Sequence, residues 1–206
     1  MSPVVRYGRL DVAVEEQAEL AALLDADEHA RAARFRFDAD RRRFVVRRGR
    51  ARQWLAAETG DDPARLAFTI TAHGKPMLTD GPYFSLSHSG EMMMLAIADR
   101  AIGCDIERID ADLDWPPLAR SFFAMDEITA LESLPDATAR AAFFACWSRK
   151  EAFVKALGLG LSYPLDAFTV SVGSAPTLLA GGDSWRFDPT DPPPGYQAAV
   201  VIAVEG

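Results

Sequence analysis

Two carboxylates spaced for joint work sit in Ile102-Gly103-Cys104-Asp105-Ile106-Glu107. Along an extended strand the side chains alternate, so Ile102, Cys104 and Ile106 turn to one face and Gly103, Asp105 and Glu107 to the other. At roughly 3.3 Å per residue the two acids stand about 7 Å apart. Like charges that close, on an otherwise apolar strand, repel unless a cation lies between them. Oxygen ligands of this kind suit magnesium, which takes a few carboxylates and completes its shell with water and phosphate. The same pattern also fits a strand end with two solvated acids.

A second segment, Phe143 to Lys155, reads as a helix with charge at its apolar face. Steps of about 100° put Phe143, Trp147, Val154 and Leu157 on one side. Lys150 falls inside that arc, Glu151 lies at its edge, and Lys155 follows Glu151 one turn later. Charges enter a buried face when they are paired or bound to something. Either Lys150 snorkels and Glu151–Lys155 is a surface pair, or Glu151 is a third acid beside two ammonium groups, suited to metal-bound diphosphate.

The third segment, Phe84-Ser85-Leu86-Ser87-His88-Ser89, alternates as a strand with Phe84, Leu86 and His88 on one face. Adjacent Ser87 and His88 cannot face each other on one strand, and no GxSxG turn is present, which argues against a serine hydrolase. His88 is better placed to bond an anion, or is structural.

These segments need scaffolding. Helices are expected over Glu15–Leu24, Asp27–Phe35, Arg41–Thr59 with Asp40 as cap, Phe122–Leu134 and Ala137–Leu157. Strands are expected over Leu66–Thr71, Tyr83–Ser89, Met92–Ala98, Ala101–Glu107, Thr169–Val172, Ser184–Phe187 and Gln197–Val204. His73–Pro76 reads as a turn, with Pro76 ending regular pairing, and the proline-rich Asp188–Gly195 as a loop. Helices precede strands twice without βαβ alternation, which points to an α+β fold. Phe35-x-Phe37-x-x-Asp40 and Phe122-Phe123-x-x-Asp126 each precede a helix, a faint internal echo that divides the chain into 1–100 and 101–206.

Composition narrows the function. The net charge of −8 argues against general nucleic-acid binding, yet ten of the 22 basic residues are arginines between Arg31 and Arg52. That cluster is either a solvated helix face or a local anion site in an acidic protein. The three lysines, Lys75, Lys150 and Lys155, all fall near the segments above. The opening ten residues lack a secretory pattern, no stretch approaches the roughly 20 apolar residues of a membrane span, and two cysteines make neither a disulfide framework nor a zinc motif. The expectation is a cytoplasmic protein.

In order and spacing, Gly74-Lys75-Pro76, Phe84–Ser89, Gly103–Glu107 and Trp147-Ser-Arg-Lys-Glu-Ala-Phe-Val-Lys155 with Gly158-Leu-Gly-Leu161 resemble the surfactin-type phosphopantetheinyl transferases. The resemblance runs from about residue 30 to residue 161 and implies a pseudo-dimer of two similar α+β halves with coenzyme A between them. It implies that Asp105, Glu107 and Glu151 hold magnesium against the diphosphate, with Lys155 on the same phosphates. It places Lys75, Ser87 and His88 on the phosphates of the nucleotide end, His88 at the 3′-phosphate, and makes Arg43, which follows Asp40 at the family's spacing, a further coenzyme A-binding residue. The partner so implied is an apo acyl, polyketide or peptidyl carrier protein; charge and hydropathy add the expectation of no nucleic acid and no membrane, and a chain of paired halves has no evident need to dimerise, so a monomer is expected. Glu151 and Lys155 would be catalytic, Glu151 taking the serine proton. A magnesium-dependent phosphohydrolase would use the same carboxylates and hydrolyse coenzyme A without a carrier, whereas a non-catalytic coenzyme A or carrier-binding module would bind equally well with Asp105 replaced by alanine.

Overall fold

The computed structural model describes residues 2–182 and 184–204. It opens with strand β1 (Val4–Arg9), a segment to which the sequence pattern assigned no element. β1 earns its place only by pairing with a strand about ninety residues away, which no local pattern reports. Helices α1 (Val14–Ala21), α2 (Ala26–Ala32) and α3 (Asp38–Thr59) follow. Asp25 caps α2 by accepting from the Glu28 amide, and the Glu28 carboxylate accepts from the Asp25 amide in return. α3 starts at Asp38, with Phe37 rather than Asp40 at the cap; Asp40 instead lies in the first turn, where its charge favours the helix dipole.

Strands β2 (Phe68–Ile70) and β3 (Pro76–Leu78) form a two-stranded ribbon, so Pro76 opens a strand where pairing was expected to stop. A ribbon that ends at this strand has an open edge, where a residue without an N–H is tolerated. β4 (Tyr83–Ser89) and β5 (Met92–Ala98) then make a hairpin, and β6 (Ile102–Arg108) begins the second part of the chain.

The expected helix over 122–134 is two helices. α4 (Trp115–Phe122) carries Pro116 and Pro117 in its first turn, where the missing N–H costs nothing, and α5 covers Met125–Glu132. Between them Phe123 is extended, which turns its ring into the core against Phe143 at 5.4 Å. α6 (Asp136–Leu157) ends at Gly158, whose φ of 72° makes a left-handed cap. The chain finishes with β7 (Thr169–Val170), the unanticipated β8 (Leu178–Ala180), β9 (Trp185–Asp188) and β10 (Tyr196–Ala203).

Two three-stranded antiparallel sheets result, β1-β5-β4 and β6-β10-β9. In each, the first strand of its half lies at one edge, the last strand in the middle and the penultimate strand at the other edge. Each half also carries one 22-residue helix, α3 or α6, and one two-stranded ribbon, β2-β3 or β7-β8. The repeat reaches single side chains. Arg52, fifteenth in α3, is fully buried and bonds Glu28, the Pro63 carbonyl and the Leu66 carbonyl. Lys150, fifteenth in α6, is fully buried and bonds Glu127, the Leu165 carbonyl and the Phe168 carbonyl. Glu28 and Glu127 each also hold the first turn of the helix before. The fold is therefore α+β with two pseudo-symmetric halves. The Phe/Asp echo is not what carries the repeat, since Phe122–Asp126 precedes the eight-residue α5 and not α6.

The core that matters for the site lies where β6 and β10 pack under α6, with Phe143, Phe153 and Phe168 among the buried side chains. Ile102, Cys104 and Ile106 fill the opposite face with Met94, Ala96 and Val200. β6 is covered on both faces, so its acids are not a solvated strand end. Among the described residues no helix is long and apolar enough to cross a membrane.

Candidate active site

Gly103 lets α6 lie directly on β6. A Cβ there would stand 2.0 Å from the Ala152 carbonyl oxygen and 2.3 Å from the Ala156 nitrogen. This close approach brings the last turns of α6 over Asp105. Lys155 Nζ donates to Asp105 Oδ1 at 2.6 Å and to Ser87 Oγ at 2.9 Å, while Ser87 Oγ donates to the same Oδ1 at 2.6 Å. Three elements, β4, β6 and α6, thus meet at one carboxylate oxygen. The other oxygen, Oδ2, is buried and has no hydrogen-bond partner.

The serines of β4 form a seam along β6. Ser85 Oγ accepts from the Cys104 amide at 3.0 Å, and Ser89 Oγ accepts from the Arg108 amide at 3.1 Å. Ser89 also donates to Glu107 Oε2 at 2.7 Å. Ser85 and Ser89 carry no motif that marks them singly in the sequence. Their signal was the period of two shared with Ser87, which puts all three hydroxyls on the face opposite Phe84 and His88.

Burial and the neighbouring Asp105 push the Glu107 carboxyl up to about 7, against the opposing pull of its Ser89 bond. Burial likewise raises Glu151, which Lys155 partly offsets. Burial works against the Lys155 ammonium, but the charge and bond of Asp105 outweigh it and hold the group above its ordinary value. This is a pocket with surplus negative charge and one cation. Among the described residues no three His, Cys, Asp or Glu side chains are gathered closely enough to grip a metal ion unaided. The unpartnered Asp105 Oδ2, beside two carboxyls that burial raises, is nevertheless an all-oxygen donor set that a hard divalent cation fits.

On the other side of β4, His88 lines a cavity of about 300 Å³ with Phe35, Asp40, Arg43, Phe44, Arg47, Ser89 and Gly90. Arg47 donates to His88 Nε2 at 2.6 Å. Burial and the charges of Arg47, Lys155 and Arg43 push the imidazole down to about 4, so it is neutral at pH 7. Arg47 was not singled out from the sequence, because nothing local separates it from the nine arginines around it. Arg43 holds Asp11 through two bonds at 3.0 and 2.7 Å. The arginine cluster proves divided in use. Arg48 and Arg52 are spent on Glu28, Arg50 on Glu16, and Arg41 and Arg42 on Asp38. Among the described residues Arg31, Arg34, Arg36 and Arg47 make no ion pair.

The two remaining lysines stand apart from the carboxylates. Lys150 is locked to Glu127 at 2.8 Å inside the second core, and so is not one of the ammonium groups of the site. Lys75 donates to the Ile102 carbonyl at 2.8 Å and to the Lys155 carbonyl at 2.7 Å. The α3 residues matching Glu151 and Lys155 in helix position are Gln53 and Ala57, so α3 does not repeat this acid and lysine pair.

Residues 101–201 match the 4'-phosphopantetheinyl transferase superfamily, and residues 13–100 match the family's N-terminal part, "4'-phosphopantetheinyl transferase, N-terminal". The chain is 36% identical to the 4'-phosphopantetheinyl transferase HetI of Nostoc sp. over 94% of its own length and 84% of that protein. It is 29% identical to the 4'-phosphopantetheinyl transferase Sfp of Bacillus subtilis over 92% of its length and 86% of the relative. It is 36% identical to the 4'-phosphopantetheinyl transferase psf-1 of Bacillus pumilus over 73% and 65%. With its paired halves and one set of acids where they meet, the chain belongs to the 4'-phosphopantetheinyl transferase family.

Proposed function

We propose that the transfer of 4'-phosphopantetheine from coenzyme A to a serine of an apo carrier protein is carried out at Asp105, Glu107, Glu151 and Lys155. The observation that carries this reading is the buried, unpartnered Oδ2 of Asp105, set beside the Lys155 ammonium on Oδ1. In the reaction the carrier serine oxygen bonds to the β-phosphorus, and the bond from that phosphorus to the bridging oxygen breaks. Adenosine 3',5'-bisphosphate leaves with the electron pair. Glu151, whose carboxyl burial makes more basic than a free glutamate, takes the serine proton. Lys155 would offset the charge that builds on the bridging oxygen as the 5'-phosphate of the bisphosphate leaves, and Ser87, accepting from its ammonium, keeps it in place.

Asp105, Glu107 and Glu151 would hold a magnesium ion, which supplies positive charge against the diphosphate oxygens. His88 and Arg43 take phosphates at the nucleotide end, His88 the 3'-phosphate, with Arg47 behind it, while Ser87, bonded to Lys155 and Asp105 on the opposite face of β4, meets the phosphate next to the diphosphate bridge. The acceptor is an apo acyl, polyketide or peptidyl carrier protein, and the enzyme acts as a cytoplasmic monomer without nucleic-acid or membrane partners.

The test is the intact mass of an apo carrier after incubation with the enzyme, coenzyme A and magnesium. A gain of one phosphopantetheine, lost with EDTA and with Asp105→Ala, is the expected result. No gain across fatty-acid, polyketide and peptide carriers, despite tight coenzyme A binding, would refute it in favour of a binding module. Hydrolysis of coenzyme A without any carrier would favour a phosphohydrolase.

A further inference from the structure

Lys75 projects from one half of the molecule into the backbone of the other. Its own backbone is held firmly: the Thr71 amide donates to the Lys75 carbonyl at 2.9 Å, and the Lys75 amide donates to Thr71 Oγ1 at 3.0 Å. Gly74, at φ 85°, makes the tight turn just before it. From this anchored hairpin the ammonium reaches the carbonyl of Ile102, the first residue of β6, and the carbonyl of Lys155, in the last turn of α6. Among the described residues the Lys155 carbonyl otherwise takes only the long 3.3 Å bond from the Gly158 amide of the helix cap, and it lies at the negative end of the helix dipole, so a cation there is favoured. The two bonded carbonyls belong to the same two elements that Asp105 and Lys155 join by their side chains.

We infer that Lys75 is a positioning residue that ties β6 to the end of α6 and so fixes the Lys155 ammonium over Asp105, rather than a ligand of the nucleotide phosphates. The inference rests on the transfer reading above. Burial, which pulls the ammonium down to about 8, agrees with a group enclosed at the junction. Lysine suits the role because its compact ammonium directs separate donors to carbonyls on two packed elements; the bulkier guanidinium, which in Arg52 spans the Pro63 and Leu66 carbonyls of one short segment, would have to push β6 and the end of α6 apart.

The experiment compares wild type, Lys75→Met and Lys75→Arg in the carrier-mass assay, with adenosine 3',5'-bisphosphate affinity measured by calorimetry. Lys75→Met should lower kcat at least about tenfold, while KM for coenzyme A and the bisphosphate Kd stay within about threefold. A tenfold weaker bisphosphate Kd in a cooperatively melting Lys75→Met would overturn the inference and restore Lys75 as a phosphate ligand. Unchanged kcat would overturn it as well. Should Lys75→Met not fold, Lys75→Arg decides: kcat stays depressed if the two-carbonyl tie matters, and full activity refutes it. Amide hydrogen exchange at residues 157–159 reads the tie without turnover. It should quicken at least about tenfold in the folded variant, and unaltered exchange rejects the tie even if the transfer reading itself fails.

Discussion

Replacing Gly103 with alanine tests whether the contact of β6 with α6 sets the geometry of the site. The new Cβ would meet the Ala152 oxygen at 2.0 Å, the Ala156 nitrogen at 2.3 Å and the Ala156 Cα at 2.9 Å. All three are backbone atoms of α6, so no side chain can swing away to make room. Ordinary contact begins at 3.4 Å, so the first of these distances falls short by about 1.4 Å. The helix must retreat by something on the order of 1 Å, carrying Glu151 and Lys155 with it. Overpacking of this kind costs about 1–3 kcal/mol, and at roughly 2–4 °C per kcal/mol for a chain of this size the melting temperature should fall by about 2–12 °C. Misplacing catalytic groups by about 1 Å costs about a hundredfold in rate. The expected outcome is a Gly103→Ala enzyme that is folded, about a hundredfold slower in kcat by carrier mass, and little changed in bisphosphate affinity. The affinity should hold because His88, Arg43 and Arg47 belong to the other half. Gly173→Ala is the control, since a Cβ there meets nothing within 4 Å. A Gly103→Ala enzyme within threefold of wild-type kcat and with the same melting temperature would refute the reasoning.

Two further outcomes follow from the electrostatics. His88, depressed to about 4, binds a proton less tightly in the folded chain than the unfolded histidine near 6.5 does, so its contribution to stability is full above pH 6.5 and is lost as the pH falls through about 4. Proton NMR should show the His88 ring neutral at pH 6 and titrating upward when adenosine 3',5'-bisphosphate offsets the surrounding arginines; titration near 6.5 in the free protein contradicts this. Lys150→Met should cost about 3–5 kcal/mol in urea denaturation by leaving Glu127 buried and uncompensated. Adding Glu127→Gln should recover part of that loss, and a single variant as stable as wild type would show that the pair is not a strut.

The acids and the basic residues of the site were legible in the sequence because each lies in a short segment with a strict period. Asp105 and Glu107 share a strand face, Glu151 and Lys155 one helix turn, and β4 and β5 fall where alternation placed them. The elements that escaped notice depend on distant partners or on chain geometry around proline. β1 pairs across most of the first half, β3 begins at a proline on an open ribbon edge, and α4 accepts two prolines only because they occupy its first turn. The lysines show the limit most clearly. Lys75, Lys150 and Lys155 look alike as charges near a motif, yet Lys155 meets a carboxylate at the site, Lys150 closes a core and Lys75 joins two halves.

What the amino-acid order determined by itself was the inventory: which acids share a face, which helix carries the third, and that the chain holds two runs of helix followed by strand. Only the tertiary structure decided which charges are spent within the protein and which remain for chemistry. Of the ten clustered arginines, Arg52 is entombed with Glu28 while Arg47 lies against His88 in an open cavity. The physical reason is that a charge takes its role from its nearest partner and its access to water, and both are set by contacts between residues far apart in the chain.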